Sequence, residues 1–304
     1  MRLFGKTNID FLSIRRIMYT VSAVIILGGI ASLVLKGIDY GIDFRGGTEL
    51  VLHFDQKPEI GEIRNALGKI GLGSSEIKIF GQEGDLLIRT TEQAEGNLIA
   101  DRIKASIRES LPQTTFEVLK YYKIGAKIGE ELRRDAMYAI ILSLIVILGY
   151  IGMRFKFVYG VGAVMALFHD VLVTLGVLSI LDGVFPHLNL EISQEVVAAF
   201  LTIIGVSVND TVVVFDRIRE NIKIYRSMSL FDVINKSLND TLSRTIITNG
   251  TIFLVLVTLL IFGGEVTRGF AFTLTVGMVT GTYSTIYVAS AIVIDWKNRP
   301  RKKS

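Results

Sequence analysis

The sequence predicts a polytopic α-helical membrane protein with six transmembrane helices and one external α+β ferredoxin-like domain between the first and second. Three observations carry that class. Half of the 304 residues are hydrophobic while 20% are charged, so the two kinds must be segregated along the chain. Several apolar runs reach about 18 residues or more, longer than core helices need and long enough to cross a bilayer. Between the first two runs lie roughly a hundred residues, enough for a small domain.

The first run, 17–35, follows Arg15 and Arg16 in an amino-terminal segment 1–16. A cleaved signal peptide would have a shorter apolar region and a small-x-small site, and no such site precedes Lys36, so the run reads as a signal anchor. Residues 36–135 then form the predicted external (periplasmic) domain. Residues 48–54 alternate as a strand, and after Pro58 the residues Ile60, Ile63, Leu67 and Ile70 fall at helical spacing. Residues 76–80 and 85–90 flank Gly81 and Gly84 as a hairpin. A helix over 92–111 follows, with Ile99, Ile103 and Ile107 on one face, and a last strand over 114–122. The order β-α-β-β-α-β is ferredoxin-like, a fold that hosts too many activities to name one. Runs at 136–153, 158–181, 196–215, 245–262 and 270–294 complete a five-helix membrane region over 136–294, with a basic tail at 295–304.

Basic residues set the orientation. Arg2, Lys6, Arg15 and Arg16, the 154–156 hairpin, the 216–244 loop and the 297–303 tail are rich in Lys and Arg. The opposite loops hold Arg268 beside Asp182, Glu191, Glu195 and Glu265. By the positive-inside rule both termini are cytoplasmic. The net charge of +4 is thereby an orientation signal, and no basic face points to nucleic acid. The absence of cysteine excludes a disulfide framework, thiol catalysis and Cys-type metal sites. Three scattered histidines do not make a zinc site. No phosphate loop, hydrolytic triad or metal cluster is present, so neither an enzyme nor a cofactor is expected.

Ionisable residues inside a span are expensive and normally face the bundle interior or a wet path. Asp210 lies within the fourth span, on its cytoplasmic half, beside Ser207, Asn209 and Thr211. Desolvation and a neighbouring cation act on such a carboxyl in opposite senses, which suits a group that loads and releases a proton. The alternative is a carboxyl hydrogen-bonded for packing alone. Arg244, where the fifth span begins, is the candidate cation or else a positive-inside anchor, with Thr245 and Thr248 beside it. His169 and Asp170 sit near the middle of the third span, either as a second proton site or as a structural hydrogen bond; adjacency predicts that they point to different sides of the helix. Gly277 and Gly281 have the small-xxx-small spacing of a close helix contact.

The pieces "GIDFRGG" (41–47), "GEELRRDA" (129–136), "FHDV" (168–171), "SVNDTVVVFDRIREN" (207–221) and "TLSRTI" (241–246) occur in this order. Together they resemble the SecD/SecF family of protein-export membrane proteins, within the resistance-nodulation-division (RND) superfamily of proton-driven machines. Two positions depart from the family pattern: Ala126 stands where Pro is expected, and Asn249 where Ser is expected. The resemblance implies a multi-pass protein of the bacterial cytoplasmic (inner) membrane that pairs with SecD at the SecYEG translocon, with YajC as a further candidate partner. It implies an accessory role in export of the translocating preprotein, using the proton-motive force. Carried over by position, Asp210 resembles the family's proton-carrying aspartate and Arg244 the arginine that tunes it. An RND-type solute or lipid exporter is the alternative; such exporters usually carry two six-span halves in one chain.

The stretch 41–47 packs Gly41, Asp43, Arg45, Gly46 and Gly47 at the exit from the first span. Glycines beside an arginine are able to cradle an anion, but a strand rather than a helix start is expected to follow. The stretch therefore reads as a mechanical joint between membrane and domain, with Asp43 and Arg45 fixing its geometry.

Overall fold

The computed structural model describes residues 7–297 apart from 57, 82, 83, 93, 95, 186, 187 and 189. Arg2, Lys6 and the tail beyond residue 297 therefore lie outside the described residues. Helix α1 (Arg15–Lys36) leads through a short helix, α2 (Ile42–Arg45), into β1 (Gly47–Phe54), α3 (Ile60–Lys69), β2 (Glu76–Ile79), β3 (Asp85–Thr90), α4 (Leu98–Ser110) and β4 (Phe116–Ile124). Four long helices follow: α5 (Ala126–Arg154), α6 (Phe157–Leu181), α7 (Gln194–Ile224) and α8 (Leu230–Phe262). The last span is α9 (Glu265–Ser284), a π turn (Thr285–Ala289) and α10 (Ser290–Lys297). Six helical stretches are long and apolar enough to cross a membrane.

In the domain, an antiparallel sheet of order β2-β3-β1-β4 splits each βαβ unit around a central strand, as the ferredoxin-like arrangement requires. Strand alternation puts Leu50, Leu52 and Ile88 on one face, where they pack against Ile63 and Leu67 of α3 and Ile103 of α4. A buried side chain of this size stabilises by about 2 kcal/mol. The opposite face carries charge: Glu49 and Arg89 are register partners. Helix α3 starts with a capping box between Glu59 and Glu62.

Several element boundaries differ from the sequence expectation. Helix α4 starts at Leu98 rather than 92, because Gly96 takes φ 57°, a left-handed turn that a helix cannot contain. A short helix, α2, precedes β1, where only a strand was expected. Helix α5 begins at Ala126 rather than 136, and α7 and α8 run far beyond their apolar runs. The expected 216–244 loop is two helical extensions joined over 225–229, with Ser229 capping α8 by accepting from the Asp232 N–H. An apolar run measures the part of a helix in lipid; Lys, Arg, Glu and Ala continue the helix at little cost outside it.

In the bundle, 67% of the apolar window of the last span is buried, against 6% for α5. The last span is therefore the centre and α5 an outer helix. Small residues permit this: a Cβ on Gly277 would lie 2.1 Å from Ile203 of α7, and one on Gly281 3.1 Å from Ser207. The close contact expected of Gly277 and Gly281 is thus α9 against α7. At one end of the bundle Asn235 and Asn239 of α8 hydrogen-bond the backbone of Ile9 and Phe11, and Arg15 pairs with Asp295 at 3.3 Å. The domain stands at the other end.

Candidate functional site

Asp210 sits inside the bundle on α7 and is 6% exposed. Its Oδ2 accepts a hydrogen bond from the Nδ2 of Asn249 on α8, and the same Nδ2 reaches Thr282 Oγ1 on α9 at 2.7 Å. Three helices thus meet at one carboxyl through a neutral amide. Asn249 Oδ1 is buried and has no hydrogen-bond partner among the described residues. Arg244 lies on the same helix as Asn249 and is exposed. No carboxylate among the described residues stands within 4.0 Å of it as an ion pair. Thr245 is buried and Thr248 half-buried on that stretch of α8.

A second polar cluster meets α7 at Ser207, one turn before Asp210. Asp170 is completely buried. Its Oδ2 accepts from Ser207 Oγ of α7 at 2.6 Å and from Ser284 Oγ of α9 at 2.9 Å. Its Oδ1 is 3.1 Å from His169 Nδ1. Neighbouring residues on a helix are about 100° apart, and the two side chains do reach different helices, His169 towards Ser22 of α1 and Asp170 towards α7 and α9, while still touching each other. Thr211 meets Thr285 of the π turn at 3.0 Å, between the two clusters. Asn209 is exposed and joins neither.

The glycine stretch occupies the domain junction. Asp43 Oδ2 accepts the Gln194 N–H at 3.0 Å, at the first turn of α7, and its Oδ1 accepts from Tyr122 of β4 at 3.3 Å. Arg45 pairs with Asp39 at 2.8 Å. Gly41 donates its N–H to Ile192 O at 2.9 Å. Gly46 and Gly47 take φ 70° and 132°, and a Cβ on Gly47 would lie 2.3 Å from Thr90 O, so both conformation and space demand glycine here.

Beside this stretch Arg89 of β3 binds Glu191, from the segment before α7, through two bonds of 2.6 and 2.8 Å. Arg89 also holds Glu49 at 2.8 Å and Glu76 at 3.4 Å. Lys120 and Lys78 flank it on Glu49 and Glu76. Burial pushes the Glu49 and Glu76 carboxyls up, but the hydrogen bonds and charges of Arg89, Lys120 and Lys78 outweigh it and hold both below their ordinary range. Burial opposes the charge of Lys78, yet Glu76 and Asp39 raise it above its ordinary value.

Asn249, Ser284, Arg89 and Glu191 were not singled out as functional from sequence. For Ser284 a signal existed: the last span is dense in hydroxyls and has the lowest mean hydropathy of the six windows, 1.4. Among the described residues no group of His, Cys, Asp or Glu is placed to hold a metal.

A six-span helical membrane protein with a ferredoxin-like external domain and a buried carboxyl shared by three helices is the class these features define. Residues 102–299 match the family model for the protein export membrane protein SecD/SecF, C-terminal, and residues 31–58 match the SecD/SecF GG motif. The chain belongs to the SecD/SecF family of protein-export membrane proteins. It is 48% identical over 299 residues to the protein translocase subunit SecF of Rhodothermus marinus, covering 98% of this chain and 96% of that one. The SecF subunit of Desulfurispirillum indicum is 42% identical, with 96% and 92% covered. The crystal structure of a Thermus SecDF, a translocon-associated membrane protein, is similar over 96% of this chain at 35% identity and a TM-score of 0.84. This chain spans 39% of that SecDF chain.

Proposed function

We propose that this chain is an accessory subunit of the Sec protein-export machinery that couples the proton-motive force to late translocation of the preprotein. In this reading it acts beside SecD at the SecYEG channel, in the bacterial cytoplasmic membrane, with both termini in the cytoplasm. The single observation that carries it is the environment of Asp210. A buried carboxyl whose nearest partner is a neutral amide, with a cation in reach but no ion pair, is free to change its protonation state. The Asn249 amide serves both forms: Nδ2 donates to the carboxylate, and the unpartnered Oδ1 is the acceptor that a protonated carboxyl requires. Each change redistributes hydrogen bonds among α7, α8 and α9, and so favours one packing of the bundle over another.

The joint at 41–47 carries that change outward, because Asp43 grips the first turn of the helix that bears Asp210. The experiment is preprotein export in membranes carrying Asp210→Asn, with and without a proton gradient. Loss of the gradient-driven part supports the reading; normal export with an intact response to the gradient refutes it. Unchanged export with lost solute resistance would point instead to an exporter. Rigidifying Gly46 and Gly47 tests the joint, which is discarded if export is unaffected.

A further inference from the structure

The hydrogen-bond chain through His169 is short of one proton. It runs from Asp170 Oδ1 to His169 Nδ1 at 3.1 Å, from His169 Nε2 to Ser22 Oγ of α1 at 2.8 Å, and from Ser22 Oγ to the Tyr283 hydroxyl of α9 at 2.9 Å. It ends where Tyr283 donates to the Met18 carbonyl at 2.5 Å. These are four contacts, and each needs one hydrogen between its heavy atoms. An ionised Asp170 supplies none, and a neutral imidazole, Ser22 and Tyr283 supply one each.

The direction at the far end is settled, since a carbonyl cannot donate: the Tyr283 hydrogen points at Met18. Ser22 must then donate to Tyr283, so His169 Nε2 must donate to Ser22. With the Nε2 hydrogen in place, the His169–Asp170 contact is empty unless a further proton occupies it. Ser207 and Ser284 cannot fill the gap, because their hydrogens go to the other oxygen, Oδ2. Ser284 also lies 3.2 Å from Gly281 O, a contact that only adds to the shortage.

We propose that His169 and Asp170 together hold one proton, making a neutral intramembrane unit that is a second proton-binding site of this chain, distinct from Asp210. The two arrangements that satisfy all four contacts are an imidazolium against a carboxylate and an Nε2–H imidazole against a protonated carboxyl. Both carry the same proton, and both leave the pair without net charge, which a membrane interior strongly favours. The groups that hydrogen-bond the pair from the packed helices are Ser22 on α1, Ser207 on α7 and Ser284 on α9. The Tyr283 ring stacks on His169 and Tyr287 lies against Tyr283. None of these groups is charged at neutral pH. Asp210 lies on the next turn of α7 beyond Ser207, and its hydrogen bond goes to Asn249 rather than into this chain. The proposal does not rest on Asp210 being a proton carrier.

Nitrogen-15 spectra of the histidine-labelled full chain in lipid bilayers at neutral pH, read with infrared spectra of the carboxyl region, test it. The chain has three histidines, so His169 is assigned by comparison with His169→Gln. The expected result is either a ring protonated on both nitrogens or an Nε2–H ring with a carboxylic-acid band that disappears in Asp170→Asn. A neutral Nδ1–H ring beside an ionised Asp170 would overturn the proposal. Two variants change the proton count in opposite places. Asp170→Asn supplies the fourth hydrogen from its amide, and should leave a neutral ring protonated at Nε2. Tyr283→Phe removes the two contacts at the far end, so a neutral ring protonated at Nδ1, with Ser22 donating to Nε2, then suffices and the extra proton should be lost. An unchanged His169 signal in Tyr283→Phe would also overturn it, and this arm stands if Asp170→Asn fails to fold. The same spectrum in Asp210→Asn should match the wild type, which keeps this result separate from the fate of the proton-carrier reading.

Discussion

Arg89 and Asp210 are 5% and 6% exposed, and the chain satisfies these two buried charged groups in opposite ways. At the domain junction Arg89 is enclosed by full charges: Glu49 and Glu191 at hydrogen-bond distance, Glu76 just beyond, with Lys120 and Lys78 balancing the excess. In the bundle Asp210 meets a neutral amide, and the cation in reach forms no ion pair with it. A charge fixed by a bidentate ion pair has one favourable state. A carboxyl held by groups able to donate or accept has two. On the proposed function the junction stays as it is while the membrane interior changes, and the contact of Asp43 with the first turn of α7 is where the two would meet.

That contrast can be broken from either side. The largest effect is expected at the junction. Arg89→Met leaves Glu191 buried without its cation and Glu49 with Lys120 alone, at a cost of about 3–5 kcal/mol, measured as lost thermal stability of the domain in the detergent-solubilised chain. Equal stability would show that the ion pairs are not what holds the junction. Asp210→Asn should do the reverse. The amide fits the same space and can still accept from Asn249, so thermal stability should hold while the gradient-driven part of export disappears. Moving one charge across 100 mV supplies about 2.3 kcal/mol, roughly a fifty-fold bias.

Next in size is Asn249. Asn249→Leu removes the donor to Asp210 and should weaken gradient-driven export by the worth of one buried hydrogen bond to a charged group, about 1.5–3 kcal/mol. Asn249→Ser keeps a donor and acceptor and should retain most of the activity. Export that is equal in the two variants would remove Asn249 from the site.

Acid provides a smaller, graded test of the junction. Glu49 and Glu76 are held below their ordinary value of 4.5, so their contribution is complete above that pH and is lost as pH falls through the depressed values. Lys78, raised above 10.5, contributes fully below that value and loses its contribution only as pH rises through the raised one. The protection of the amides of residues 190–194 against hydrogen exchange, with the intrinsic chemical rate divided out, should therefore be flat through neutral pH and fall in acid below the ordinary carboxylate range. Smallest of all is Asn209→Val, which should change stability by less than about 0.5 kcal/mol and leave export as it was, since Asn209 is exposed on α7.

Much of this was written in local pattern. Apolar length marks six spans, alternation and turn glycines mark four strands, and the expense of charge in lipid singles out Asp170 and Asp210 without any knowledge of their neighbours. Boundaries were less legible, because α5, α7 and α8 continue outside the membrane on helix-forming polar residues that carry no hydropathy signal. The partners were less legible still. Asn249 looked like a local departure from a family pattern, but it is the residue that bonds Asp210 across 39 positions of sequence.

By itself the sequence determined the membrane class, the ferredoxin-like order of the domain, and the carboxyls that lipid makes costly, because each is a property of a short segment and its solvent. Only the tertiary structure decided who meets whom. It brought Arg89 to Glu191 across 102 positions, set His169 against a serine of α1 and Asp170 against serines of α7 and α9, and placed Asp43 at the first turn of α7. Those pairings depend on helix crossings and strand register, which are set by packing among distant segments rather than within any one of them.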